Sequence, residues 1–356
     1  MNDLPVKPTK VVVITGASAG VGRAVAHRFA RAGFSMGLVA RDAAALEDVR
    51  DEVEKLGGTA IVLALDVADA AAVFAAADRV AAAFGHIDVW VNDAMVTVFS
   101  PTWKITADEF RRVTEVTYLG FVHGTMAALR HMRPANRGSI IQIGSALSYR
   151  GIPLQSAYCG AKHAIRGFTD SLRSELIHER SRIKLTMLQL PAVNTPQFDW
   201  ARAHMPRAPR PVAPVVEPEA IADAVFGAVC KPAREYWIGW STVKVILGNM
   251  VMPTFLDRYL AKVCIGGQQT HDPIGPDRID NLYEPVHSLH RTRGSFSAES
   301  ATKVPISPGT LGRWAPYAAT LLGGTALGLL LVWAWPSANP TAARAEQRRT
   351  GRFEAR

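Results

Sequence analysis

The stretch SAYCGAKHA, residues 156 to 164, sets a tyrosine and a lysine four positions apart with small residues between them. On a helix that spacing places Tyr158 and Lys162 on one face. An ammonium beside a phenol favours the phenolate, so the pair is suited to general acid/base work at a carbonyl or an alcohol. Alone, the spacing fits two neighbours on an ordinary helix surface equally well. Thirteen residues before the tyrosine, however, stands Ser145, at the end of the apolar run SIIQIGS. The carboxyl ends of parallel strands are where such sheets bind ligands, and a hydroxyl there can hold and polarise the same carbonyl.

A second group of residues fits a nucleotide. In VVVITGASAGVGRAVA the glycines Gly16, Gly20 and Gly22 follow an apolar strand and open a helical run. Glycine permits the tight turn and the close approach of backbone to a pyrophosphate, which the N–H groups of the helix N-terminus then stabilise. At the end of the second strand, LVARD, an acid would bind a ribose 2′-hydroxyl, but this chain has Ala40 followed by Arg41. A guanidinium there, with Ser18 in the turn, favours a 2′-phosphate and hence NADP(H) over NAD(H). The alternative is that Arg41 only begins the second helix as a solvated side chain. Asp66 and Val67, at the end of ALDV, stand where an adenine edge would lie.

In combination, TGASAGVG, NDAM, the GS at 144 and 145 and YCGAK resemble the short-chain dehydrogenases/reductases, over roughly residues 8 to 240. The resemblance implies that Tyr158 is the proton donor or acceptor, that Lys162 lowers its pKa and holds the nicotinamide ribose, and that Ser145 orients the substrate carbonyl. It implies a relay residue at Thr117, where the family commonly has asparagine, and cofactor contacts from Asn92 and Ala94 of NDAM, in which Asp93 and Met95 replace the usual residues. Asp93 is expected to satisfy a backbone group and Met95 to narrow the space near the nicotinamide. In LPAVNTPQ the resemblance assigns Pro191, Val193 and Thr195 to the cofactor, with Ala192 in place of a glycine. Gln155, just before the YCGAK helix, is expected either to face substrate or to cap that helix.

These residues need a scaffold, and the hydrophobic period supplies one. Short apolar runs at 10–15, 35–40, 60–65, 87–91, 139–144 and 183–190 alternate with long helical patterns. Strict alternation predicts an α/β fold, a Rossmann-type doubly wound parallel sheet with helices on both faces. The proline-rich stretch 196–218 reads as a lid or a linker. A helix, PEAIADAVFGAVC, and a strand, EYWIG, are expected to complete the sheet. Three domains follow: a catalytic domain over 1–240, an extension over 241–308 with an amphipathic helix at 241–264 and a largely irregular remainder, and a terminal segment from 309.

Composition bounds the rest. The chain has 356 residues, 48% hydrophobic and 20% charged, enough to bury a large core. Cys159, Cys230 and Cys264 lack metal or disulfide spacing, which fits a reducing compartment. Of the net charge of +9, residues 1–200 carry 22 basic and 19 acidic side chains, so the excess lies toward the C-terminus. No long basic run with interleaved aromatics suggests nucleic acid. APYAATLLGGTALGLLLVWAW, residues 315–335, is uncharged and as a helix would span about 31 Å, matching a bilayer core. With no apolar segment ahead of the first strand, the expectation is a membrane-tethered enzyme with its catalytic domain facing the cytoplasm, an assembly of identical chains, and a small apolar carbonyl or alcohol as substrate. The rival readings are an NADP(H)-binding sensor or scaffold with little turnover, and a soluble enzyme whose C-terminal segment packs on a partner.

Overall fold

Strands with apolar side chains on both faces must be covered on both faces, and the chain builds that arrangement. The computed structural model describes residues 9–275 and 277–309. Its main sheet contains β1 (Val11–Thr15), β2 (Ser35–Ala40), β3 (Thr59–Ala64), β4 (Val89–Asn92), β5 (Ser139–Ser145), β6 (Lys184–Leu190), β7 (Glu235–Ile238) and β8 (Ile306–Pro308), in the order β8-β7-β6-β5-β4-β1-β2-β3. The first seven run parallel, and β8 pairs antiparallel with β7 at the edge. On one face Val12 and Ile14 pack with α1 (Gly20–Ala30), α2 (Ala43–Lys55) and α7 (Pro218–Cys230). On the other, Val11 and Val13 share a core with α3 (Ala70–Phe84), α4 (Ala107–Thr114), α5 (Gly120–Ala135) and α6 (Ser156–His178). The alternation along β1 is the period of a strand read out on two cores.

Three expectations change. The amphipathic stretch 241–264 is two helices, α8 (Gly239–Val251) and α9 (Pro253–Gly267), because Pro253 disfavours helical backbone at the preceding residue, and Met252 sits at φ −135°, ψ 59°. The sheet is not completed by β7, since β8 adds one more strand from the region expected to be irregular. A further strand there, Gln269–Pro273, pairs antiparallel with Arg207–Pro209 of the proline-rich stretch. The chain divides into two compact units, Met1–Gly312 and Arg313–Arg356, and the second lies wholly outside the described residues. The expected membrane span at 315–335 lies there too. Among the described residues no helix is long and apolar enough to cross a membrane.

Candidate active site

Parallel strands deliver their carboxyl ends to one edge of the sheet, and the chemistry-bearing residues collect there. The turn after β1 needs glycine for specific reasons. Gly16 has φ +74°, and a Cβ on it would lie 2.9 Å from Cα of Ala94. A Cβ on Gly22 would lie 2.2 Å from the Gly16 carbonyl oxygen, so the turn closes only without side chains. Thr15 holds the NDAM loop against this turn, its hydroxyl accepting the N–H groups of Asp93 at 3.0 Å and Ala94 at 3.2 Å.

A cavity of about 530 Å³ runs from this turn to the end of β5. Gly16, Ser18, Gly20, Arg41, Asp66 and Val67 border one part of it, and Ala94, Ser145, Tyr158 and Lys162 border another. Pro191, Val193, Thr195 and Gln155 also face it, as does Met95. Residues from 196–214 form part of its wall, including Phe198, Trp200 and Val212. On α8 and α9, Val245, Leu256, Leu260 and Val263 add an apolar surface. The Gln155 side chain does not cap α6. Its amide donates to Gln268 Oε1 at 2.6 Å, which ties the start of α6 to the end of α9.

Around the reacting end the polar groups are few and fixed. The Ser145 hydroxyl accepts the Leu147 N–H at 3.1 Å and hydrogen-bonds the Tyr158 phenol. Burial pushes that phenol above its usual range, and the Ser145 bond acts against the shift. Lys162, fully buried on α6, donates to the Ile143 carbonyl at 2.7 Å, with Nζ 5.5 Å from the Tyr158 ring centroid and 4.6 Å from that of Phe121. Burial lowers its pKa, and the Asp93 carboxylate opposes that. Asp93 is raised by burial, countered by Lys162 and by a hydrogen bond from the Gly22 N–H. The expectation that Asp93 would satisfy a backbone group is thus met by Gly22. Its position as the charged neighbour of Lys162 is not visible from a four-residue motif.

Gly22, expected to meet the cofactor, packs under the turn against the Gly16 carbonyl and does not border the cavity, and two further residues do not reach it. The Thr117 hydroxyl donates to the Val96 carbonyl at 2.8 Å and accepts the Val96 N–H at 3.0 Å, with no exposed surface. It sits in a π-turn, Glu115–Leu119, between α4 and α5, and its hydroxyl pins the loop after β4. Asn92 is buried behind the cavity wall. Its amide accepts the Trp90 indole N–H at 2.8 Å and donates to Gln142 Oε1 at 2.9 Å and Thr125 Oγ1 at 3.1 Å. Both residues brace the walls from behind; neither touches the site.

One element is missing from the sequence reading: a strap, residues 281–296, laid across the outer side of the cavity. Arg41 donates to the carbonyls of Tyr283 at 2.6 Å and Asn281 at 2.5 Å, and Arg112 donates to that of Leu282 at 3.0 Å. Arg112 in turn pairs with Asp66. Asp42, the N-cap of α2, meets His287 at 2.8 Å and His290 at 3.1 Å. The Gly20 N–H donates to the Arg291 carbonyl at 3.0 Å. The only signal in the sequence is a run of histidines and arginines, His287, His290, Arg291 and Arg293, whose acidic partners lie about 75 to 250 positions away.

The comparisons with known proteins agree with this geometry. The model of a family described as short chain dehydrogenase matches residues 10–205. An uncharacterized oxidoreductase of Bacillus subtilis, YxnA, is 31% identical over 306 residues, covering 83% of this chain and 86% of its own. Among solved structures, an alcohol dehydrogenase from the archaeon Thermococcus sibiricus, complexed with 5-hydroxy-NADP, is 28% identical with a TM-score of 0.56, covering 64% of this chain and 95% of that one. A short-chain dehydrogenase from Streptomyces avermitilis, 27% identical, has a TM-score of 0.61 and covers 73% of this chain and 99% of its own.

Proposed function

The chain belongs to the short-chain dehydrogenase family, whose members interconvert carbonyls and alcohols with a nicotinamide cofactor, and on that premise we propose an NADP(H)-dependent enzyme for an apolar substrate, with Tyr158 as its general acid/base. The observation that carries this reading is the single cavity that joins the glycine turn to Ser145, Tyr158 and Lys162 and continues into the apolar wall of α8 and α9.

The residues present fit the cofactor. Ala40 replaces an acid at the end of β2, the nearby Asp42 carboxylate is held by the Ala45 N–H, His287 and His290, and Arg41 and Ser18 border the cavity there. Arg41 spends two of its five N–H donors on strap carbonyls, which leaves others for a 2′-phosphate. Gly16, Gly20, Thr195, Val193 and Pro191 border the same cavity, where the first three would take the pyrophosphate and the last two the nicotinamide end. Bound along this cavity, the nicotinamide supplies or accepts the hydride.

The chain's own residues do the rest. Ser145 holds the substrate oxygen. Tyr158, a phenol whose pKa is raised by burial, keeps its proton until negative charge develops on that oxygen, and then donates it. In the reverse direction it accepts the alcohol proton, with Lys162 close enough to stabilise the phenolate. Asp93, the acid nearest Lys162, opposes the lowering that burial imposes on the lysine. The uncharged run 315–335 is proposed to tether the enzyme to a membrane with the catalytic unit on the cytoplasmic side.

The test follows NADPH absorbance against a graded series of straight-chain aldehydes and ketones. Each buried methylene is worth about 0.8 kcal/mol, so kcat/KM is expected to rise up to about fourfold per added carbon until the cavity is full. Absence of turnover across the series, or a preference for small polyols, contradicts the reading.

A further inference from the structure

The strap carries to the cavity border a buried side-chain acceptor that meets no described donor. Asn281 is 8% exposed and borders the cavity, and its Oδ1 has no hydrogen-bond partner among the described residues. Its backbone is held on two sides: the N–H donates to the Trp200 carbonyl at 3.0 Å and the carbonyl accepts from Arg41. The backbone that carries the amide is therefore anchored, while Oδ1 has no partner among the described residues. Leaving a buried acceptor without a donor is costly, and such a group in a native fold calls for an explanation.

Its location narrows the explanation. Arg41 stands at the end of β2, where the adenosine half of a dinucleotide lies in this fold. The two acids bordering that end are already engaged: Asp42 by the Ala45 N–H, His287 and His290, and Asp66 by the Ala68 N–H at 2.9 Å on one oxygen and Arg112 on the other. A free acceptor cannot serve a phosphate, which offers only acceptors of its own. It suits the exocyclic amino group of adenine or a ribose hydroxyl, and an asparagine amide matches the amino and N7 edge of adenine in two hydrogen bonds.

We infer that Asn281 is a cofactor-recognition residue, delivered by the C-terminal strap, whose amide accepts a hydrogen bond from the adenosine portion of the dinucleotide. This rests on the reading of the cavity as an NADP(H) site. It extends that site beyond residues 10–205, the part matched by the family model, to a segment that closes over the cofactor from outside the parallel sheet.

The experiment measures dissociation constants of the full chain for NADPH, NADH and the hypoxanthine analogue of NADPH, in which the adenine amino group is replaced by a carbonyl. It uses the native chain, Asn281→Ala and the near-isosteric Asn281→Leu, with the thermal midpoint of each protein free of cofactor. The native chain is expected to bind NADPH 5- to 10-fold more tightly than Asn281→Ala does, with no loss of thermal midpoint, since the truncation removes an unpaired atom. Should Asn281→Ala fail to fold, Asn281→Leu carries the same comparison. If the adenine amino group is the donor, the native chain discriminates against the hypoxanthine analogue and the variants do not. If a ribose hydroxyl is the donor, the analogue binds the native chain as NADPH does while the variants still lose affinity. Native binding of NADPH with variants within twofold of it overturns the role of Asn281 and leaves the cofactor site standing. A native chain that binds neither NADPH nor NADH overturns both.

Discussion

At the scale of single residues, position and partner decide which member of a motif does chemistry. Ser145, Tyr158 and Lys162 were legible because their types and spacing are demanded by the reaction, and all three border one cavity. Thr117 and Asn92 were read from a resemblance, and the structure turns both toward the scaffold. Thr117→Val is expected to strand the buried Val96 N–H and C=O and cost about 1–3 kcal/mol, read from urea denaturation midpoints, while turnover per folded molecule persists. Loss of turnover with unchanged stability would restore a relay role. Asp93 makes a pH prediction. Folded, its carboxyl is raised from 3.8 to about 7. Its contribution to stability is therefore complete below 3.8 and fades as pH rises toward 7, because the folded state holds the proton that the unfolded state releases. Asn at this position has no proton to lose, so the thermal midpoint of Asp93→Asn should fall less steeply than the native one between pH 4 and 7. Parallel curves would show that Asp93 titrates normally.

At the scale of elements, periodic segments were readable and contact-defined ones were not. The six apolar runs expected up to residue 190 all appear as parallel strands, since continuous apolar character has one stable outcome when helices alternate with it. The break at Pro253 follows from a local rule that a helical pattern conceals. The strap has no period, because its conformation comes from carbonyls gripped by Arg41 and Arg112 and from histidines on Asp42, and long-range partners leave no mark on a local pattern. The helix α9 gives a prediction of its own, since Leu256 and Leu260 border the cavity one turn apart. Leu260→Trp would occupy part of the apolar wall. It should lower kcat/KM for the longest substrates at least tenfold and leave the shortest within about threefold, the scale of one to two excluded methylenes. Equal losses for all lengths would place the substrate elsewhere.

At the scale of the whole molecule, the C-terminal region is bound into the catalytic unit further than its composition suggests. The strap covers the cavity and β8 edges the sheet, pairing with Tyr236–Ile238 of β7. A chain ending at 309 should keep the native thermal midpoint and activity, and on the tether proposal it should no longer sediment with membranes after a carbonate wash. A chain ending at 304 should melt several degrees lower, since it uncovers the edge of β7. Equal midpoints for the two would mean that β8 adds nothing to the sheet. The central claim, however, is chemical: one phenol, held by Ser145 and backed by Lys162, moves the proton. The most direct measurement is single-substrate kinetics of Tyr158→Phe beside the native enzyme, with NADPH affinity measured on the same preparations. The account predicts a fall in kcat of about 10²- to 10⁴-fold, with NADPH affinity unchanged within about twofold. A phenylalanine variant that keeps kcat within tenfold of the native enzyme would contradict it.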